Sequence, residues 1–523
     1  MHVHLRANSM KKLFTCILLC VLQSLVFAQR DKRRKHTTHD QSIISSALEH
    51  HAGAQRGNFH ANLEAQGIIT SKGTVPFWMR ANQYGSIPLS GPSLGLLGGV
   101  NKTYDQSKKR LVDYGFSFQG RVNVGNTSEF ILVEGYAKAR LSIFELKAGR
   151  SKEFMGLVDS TLSSGAFAVS GNALGIPKVQ LAIPEFWTLP YSGKLFAIKG
   201  TFSHGWLGDN DINFPGHKSI VTYFHQKSFY GRFGKPNWRL KLLGGFNHQV
   251  FWGSEKEIYG KRWTLSEFQT FENVVLGKTT KLNKVEKSKV GNALGSIDLG
   301  IQYDFTNTRI NLYRLFFYDV GALFHLANVR DGLYGLSIAN KRPNTKSNFR
   351  WNKFVFEFFF TKDQAGYPWS KATPSGDDDY YNNYFYAQGW SYNGIALGNP
   401  FITTRVDARA GLPNQSFSDY FINNRVMAFH FGTDLTVKKI HVVAKLSYSK
   451  NYGTFGTSPY GHSLGKKFSV PRGYFGELDQ FSAYVEGTKQ LRHGFYVGCV
   501  GAFDVGGLLY NSVGFIAKAG KTF

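Results

Sequence analysis

Apolar and polar residues alternate with a period of two along nearly the whole chain, the spacing that sends successive side chains to opposite faces of a β-strand. Tyr114, Phe116, Phe118, Val122 and Val124 alternate with Ser117, Gln119, Arg121 and Asn123, and Ile131, Val133, Ala137, Ala139, Leu141 and Ile143 with Glu134, Lys138 and Arg140. Trp238, Leu240, Leu242 and Phe246 oppose Arg239, Lys241 and Asn247, and Ile297, Leu299, Ile301, Tyr303 and Phe305 oppose Asp298, Gln302 and Asp304. Phe354, Phe356, Phe358 and Phe360 follow the same rule, as do Ile440, Val442, Ala444, Leu446 and Tyr448 against His441, Lys445 and Ser447. A soluble sandwich also alternates, but its strands average about 5 to 6 residues. These runs reach about 9 to 11, the length that crosses a bilayer at a tilt. Beyond residue 28 no segment has the continuous apolar run of a membrane-spanning helix. The pattern therefore predicts an all-β fold, a transmembrane antiparallel β-barrel. With roughly 20 to 24 residues per strand and connection, region 67–523 holds about 18 to 20 strands. A barrel that wide needs its lumen filled by water, loops or a plug.

Two excursions break the alternation. The first, 149–190, reads GRSKEFMGLVDSTLSSGAFAVSGNALGIPKVQLAIPEFWTLP. Pro177, Pro184 and Pro190 remove backbone donors from it, and Gly165, Gly171 and Gly175 raise the entropy cost of regular structure. Its polar groups are Arg150, Lys152, Ser163, Ser164, Ser170 and Asn172, and it is expected to fold into or over the barrel mouth and meet a ligand there. The second, 363–401, sets Tyr380, Tyr381, Tyr384, Tyr386, Trp390 and Tyr392 among Asn382, Asn383, Gln388, Asn393 and Asn399. Aromatic faces stack on the C–H faces of sugars while amides and carboxylates take the hydroxyls, so this mixture suits glycan binding. An interfacial girdle or plug packing is the alternative for any one of these rings. The glycan-binding candidates are Arg150, Lys152, Asn172, Tyr380, Tyr381, Asn382 and Trp390. Of these, Arg150 and Lys152 supply charge, and Tyr380, Tyr381 and Trp390 are the expected stacking platforms. Asp377, Asp378 and Asp379 lack the spacing of an EF-hand, and no metal site is expected.

Composition sharpens the picture. Aromatic residues make up 15% of the chain, with 45 Phe and 26 Tyr, as girdles at both membrane interfaces require. A mean hydropathy of -0.24 fits a barrel with a polar inner face. Lys and Arg number 62 against 35 Asp and Glu, a formal charge of +27, which points to acidic polysaccharide or lipid phosphates as partners. The start of the chain implies export: Lys11 and Lys12 precede the apolar run 13–27, and Val26-Phe27-Ala28 resembles a cleavage site, so 1–28 is predicted to be a removed signal peptide. Nucleic acid is a poor partner for an exported chain without a recognition module. Cys16 and Cys20 leave with the signal, and the remaining Cys499 shares an apolar strand face with Phe495, Val497 and Phe503. Disulfides and cysteine-based zinc are thereby excluded from the expected stabilising devices. Residues 29–66 read as a polar leader with the basic cluster 30–35, the histidines His50, His51 and His60, and one short helical turn at 42–48. No G-x-S-x-G elbow occurs in 165–170, and His204, His225 and His248 read as hydrogen-bonding groups on a lumen face, so neither an enzyme nor a cofactor is expected. In the last strand Val513, Phe515, Ala517 and Ala519 alternate with Ser512, Lys518 and Thr522 before Phe523. That ending resembles the signal read by the outer-membrane barrel assembly machinery.

Several short motifs occur in a characteristic order: Pro76-Phe77-Trp78 with Asn82-Gln83-Tyr84-Gly85, Gly149-Arg150, Leu162-Ser163-Ser164-Gly165, and Ser170-Gly171-Asn172-Ala173 with Ile176-Pro177. They continue with His225-Gln226-Lys227-Ser228, Asp379-Tyr380-Tyr381-Asn382-Asn383, and Gly389-Trp390 with Gly398-Asn399-Pro400-Phe401. Through these the chain resembles the Wzi-type capsule assembly proteins in the form common in Bacteroidetes. The resemblance implies an outer-membrane β-barrel of about 18 strands, plugged by its own loops and helical elements, that helps hold capsular polysaccharide at the cell surface. The short polar leader departs from the N-terminal helical bundle of enterobacterial members. The expected function is non-enzymatic anchoring of capsular or exopolysaccharide, with a porin or specific oligosaccharide channel as the alternative on the same fold. Outer-membrane lipids, and the assembly machinery during biogenesis, are the further expected partners.

Overall fold

The segment Val112–Gly125 shows how alternation becomes a wall. Tyr114, Phe118, Val122 and Val124 are exposed on its outer side, while Ser117, Gln119, Arg121 and Asn123 are buried in the lumen. Eighteen such antiparallel strands close into one barrel in the computed structural model. It describes residues 58–523 apart from 106–109, 214–218, 283–284, 320–325, 345, 367–377, 384, 415–418 and 459–472. The expected signal peptide, the leader up to residue 57, Asp377 and Tyr384 therefore lie outside the described residues.

Closure is made by Phe59–Thr70, which pairs with both Ser93–Lys102 and Ser512–Thr522, Ala65 standing opposite Ala519. Each wall strand thus has a hydrogen-bonded neighbour on both sides, as hydrocarbon surroundings demand. The long connections 71–92, 151–177, 253–291, 361–425 and 452–477 all leave one end of the barrel. At the opposite, turn end lie Phe59, Thr522 and tight turns such as Lys438-Lys439, where both residues take positive φ (47° and 69°), the conformation that matches a two-residue hairpin to strand twist.

Three expectations change. The barrel begins at Phe59 and not at 67, because the first strand is built largely from small and polar residues (HANLEAQG) whose alternation is faint in sequence. The 149–190 excursion is shorter than expected. Phe144–Arg150 ends it on one side, and Lys178–Thr188 is a wall strand, so the true excursion is 151–177. Pro184 is tolerated in that strand because the register jumps between Ile183 and Trp187, looping Pro184-Glu185-Phe186 out of the ladder. Finally, Trp238 stands before the strand Leu240–Trp252 and outside it.

The lumen is filled by protein. The short helix Phe77–Arg80, the excursion 151–177 and the described parts of 361–425 bring Trp78, Phe167, Tyr380, Tyr381, Trp390 and Phe421 against inward residues of the wall such as Phe224, Phe251, Leu315 and Phe359. The inner face is therefore apolar where the plug sits, and not uniformly polar. Cys499 is exposed on the outer wall with Phe495, Val497 and Phe503.

Candidate functional site

The motif Leu162-Ser163-Ser164-Gly165 is held by two buried carboxylates. Glu357, pointing inward from Phe349–Phe360, accepts from the Ser163 hydroxyl at 2.5 Å, the Ser164 amide at 2.6 Å, the Ser164 hydroxyl at 2.7 Å and the Tyr313 hydroxyl at 2.6 Å. Beside it Asp159 accepts from the Lys353 ammonium at 2.7 Å and from the amide of Leu162 at 2.9 Å. Burial alone would raise the Asp159 carboxyl, but Lys353 and these donors hold it below the ordinary carboxylate range.

The two excursions meet inside the barrel. Ser170 donates to the Gly398 carbonyl at 2.6 Å, Asn172 to the Ala396 carbonyl at 3.0 Å and Asn399 to the Gly165 carbonyl at 2.6 Å. The Trp390 indole donates to the Ala168 carbonyl at 2.8 Å, and the Tyr381 hydroxyl donates to the Phe167 carbonyl while accepting from the Asn399 amide at 2.8 Å. Their crossing point requires glycine: a Cβ on Gly398 would stand 1.8 Å from the Phe167 carbonyl oxygen and 2.0 Å from the Tyr381 hydroxyl.

This arrangement corrects the stacking assignment. Trp390 is 0% exposed and lies parallel to Phe251 with ring centroids 4.1 Å apart. Tyr380 and Tyr381, also 0% exposed, pack on Phe167 at 5.1 and 5.3 Å. All three rings are buried and pack within the plug and against the wall in this structure. Asn172 is likewise buried, and Asn382 spends its amide on the Asp379 carboxylate and on both backbone groups of Phe421. Arg150 and Lys152 keep partial exposure. Arg150 donates to the Leu132 carbonyl at 3.0 Å and the Tyr392 hydroxyl at 2.9 Å, while Lys152 donates to Gln119 and lies 5.3 Å from the Tyr84 ring centre. The histidines are corrected too. His204, His225 and His248 face the outer side of the wall, in the alternation that also holds the exposed Phe202, Phe229 and Phe246.

Below the plug, toward the turn end, lies a lumen cavity of about 180 Å³ whose lining includes Gly156–Asp159, Lys199, Arg232, Arg309 and Glu185. Lys199 and Arg232 lie 5.1 and 5.0 Å from the ring centre of Phe186, carried by the looped-out Pro184-Glu185-Phe186, and Lys199 also lies 4.8 Å from that of Tyr230. Gln302, Asn311 and Ser337 add hydrogen-bonding groups. Sequence reading missed this cluster, since its wall residues come from six separate strands; the proline inside Lys178–Thr188 was the one local signal. No group of metal-ligating side chains occurs among the described residues.

The sequence profile of the family described as "Capsule assembly protein Wzi" matches residues 48–414. Among solved structures, the chain is similar to Wzi of Escherichia coli, described as an outer membrane protein involved in group 1 capsule assembly and a carbohydrate binding β-barrel. That match has 12% identity, 89% of this chain and 84% of that one covered, and a TM-score of 0.52. It is also similar to OccAB2 of Acinetobacter baumannii, at 12% identity with 89% and 98% covered and a TM-score of 0.43. No curated protein matches the chain.

Proposed function

This chain belongs to the Wzi family of capsule assembly proteins, and we propose that it binds capsular polysaccharide at the outer membrane and holds it there without chemically altering it. The observation that supports this best is the packed lumen. A plug laced to the wall through Glu357 and Asp159, with its large rings fully buried, suits a barrel that anchors a polymer better than one that conducts. The formal charge of +27 favours an acidic polymer. Within the molecule, Arg150 and Lys152 at the plug and the Lys199, Arg232 and Arg309 cavity offer cations beside amides and hydroxyls, the pairing that takes a carboxylate and its neighbouring sugar hydroxyls. By the usual disposition of such barrels, the long connections face outward and the turn end faces the periplasm. Export through the cleaved segment 1–28 and assembly by the barrel machinery complete the proposal.

The test uses the full chain in phosphatidylcholine vesicles, with polygalacturonate and neutral dextran as probes. Retention of polygalacturonate over dextran, weakening as salt rises, together with the absence of large stable conductance in planar bilayers, is the expected result. Equal retention of both polymers would remove acidity from the proposal; no retention, or a large stable conductance, would replace anchoring by transport.

A further inference from the structure

The connection 253–291 touches the plug only at its start, where the Ser254 and Tyr386 hydroxyls lie 3.0 Å apart, Tyr259 packs on Phe385 and Ile258 joins the lumen core. It leaves the loop end and lays the helix Glu267–Leu276 against the outside of the barrel. The helix is locally well specified. The Ser266 hydroxyl accepts from the Gln269 amide, the Gln269 side chain accepts from the Ser266 amide at 3.0 Å, and Gly277 ends it at φ +61°.

The helix covers a polar notch in the outward wall. His204, His225, Lys227 and His248 all face outward, where a cation in contact with lipid costs up to about 2–4 kcal/mol at mid-bilayer and little near the interface. Phe271 sits over this notch, with ring centres 5.8 Å from His204, 6.1 Å from His225 and 5.5 Å from Trp252. The Lys227 ammonium donates to the Val275 carbonyl, at the negative end of the helix. Val274, Trp263 and Val290 pack with Val250, Trp252 and Ala293 of the outer wall into a small core separate from that of the lumen.

The opposite face of the helix is uncovered. Phe268 is 65% exposed and Leu276 58% exposed, near the two ends of the helix, with Glu272 midway between them in sequence. In the two short turns that precede the helix Lys256, Lys261 and Arg262 are exposed, and Lys278, just after it, is exposed while paired with Glu272 at 2.8 Å. An amphipathic helix with large apolar groups directed to the acyl region and cations at its margin has the chemistry of an interfacial lipid contact.

We propose that this strap is a docking site for the phosphorylated headgroups of the surrounding leaflet. Phe268 and Leu276 enter the acyl boundary, and Lys256, Lys261 and Arg262 take headgroup phosphates. The strap would fix the depth and rotation of the barrel in an anionic leaflet.

The test compares the full chain with two variants, K256Q/K261Q/R262Q and F268S/L276S. Each is placed in vesicles of phosphatidylcholine alone and of phosphatidylcholine with lipid A, and the temperature at which the folded band converts to the unfolded one is read on gels. Lipid A is expected to raise the parent's conversion temperature by several degrees. The triple variant should match the parent in phosphatidylcholine and lose most of the lipid A increment, whereas F268S/L276S should fall in both vesicle types. A lipid A increment of parental size in the triple variant overturns the proposal, as does the absence of any increment in the parent. A third arm adds polygalacturonate to phosphatidylcholine vesicles: if the triple variant loses polymer retention while keeping the lipid A increment, the strap serves the glycan and the lipid proposal falls.

Discussion

Trp390 shows how a residue's chemistry is decided by what surrounds it. Its indole is covered by Phe251, bonded to the Ala168 carbonyl and fully buried, so Trp390→Ala should act as a core truncation costing about 3–5 kcal/mol. Polysaccharide retention in that variant is expected to fall only in step with the heat-conversion temperature. Retention lost from a protein of parental stability would mean that the ring reaches the glycan after all. Gly398→Ala makes a sharper case, because one methyl group would have to enter the space of the Phe167 carbonyl and the Tyr381 hydroxyl. The two excursions should then separate, read as new proteolytic cleavage in 378–401 with the wall intact. Asp331 carries a pH dependence. It sits just before the strand Gly332–Asn340, where burial pushes its carboxyl up to about 7 despite donors from Tyr380 and the amides of Asp363 and Gln364. A raised acid favours the protonated fold, so its stabilisation is complete below the ordinary value near 3.9 and is lost as pH rises through about 7. The conversion temperature should decline across that window in the parent and decline less in Asp331→Asn; parallel curves would assign the pH dependence elsewhere.

At the scale of elements, what could be read from sequence follows from how many surroundings an element meets. A wall strand meets two, lipid outside and the lumen inside, and the contrast is written residue by residue in Val112–Gly125 or Asn292–Asp304. The first strand escaped because Ala61, Ala65 and Gly67 are too small to mark the lipid side. The plug met neither pattern. Its mixture of tyrosine, tryptophan and amides is the same whether it faces a sugar or a packed interior, and only the inward rings of Phe251 and Phe317, on distant strands, decide between them. The strap helix went unread, although Ser266, Gln269 and Gly277 carry its capping signals, and its position outside the wall depends on Lys227 and Phe271 meeting across strands. Glu357 belongs to the same class of long-range information. It reads as a polar position in a phenylalanine-rich strand, yet it anchors two serines of the plug. Glu357→Gln sets amide hydrogens against these donors and, at about 1–3 kcal/mol for each buried group left unsatisfied, should loosen 159–165. Faster amide exchange confined to that segment is the expected reading, and exchange spread evenly over the strands would show that the carboxylate serves the wall instead.

For the molecule as a whole, the wall and the plug are stabilised by different means, and this separates holding from conducting. The wall rests on a closed ring of backbone ladders, from Phe59–Thr70 round to Ser512–Thr522, which no plug contact completes. The plug rests on its own buried rings and on polar attachments to that ring, among them Asp159 on Lys353, Ser163 and Ser164 on Glu357, Leu157 on Asp298 and Trp78 on Ser447. Removing the first two should therefore free segment 159–165 without dissolving the barrel. The triple variant D159A/S163A/S164A is expected to insert and to keep a heat-convertible folded band like the parent's, because every strand pairing remains. In planar bilayers the parent should show no large stable conductance, and the variant should show noisy, intermittent openings as the freed 159–165 segment moves in a lumen that eighteen strands make wide. Silent bilayers from a well-inserted variant would mean that the rings around Trp390 and Phe167 hold the plug by themselves, and large steady openings from the parent would place the protein among channels.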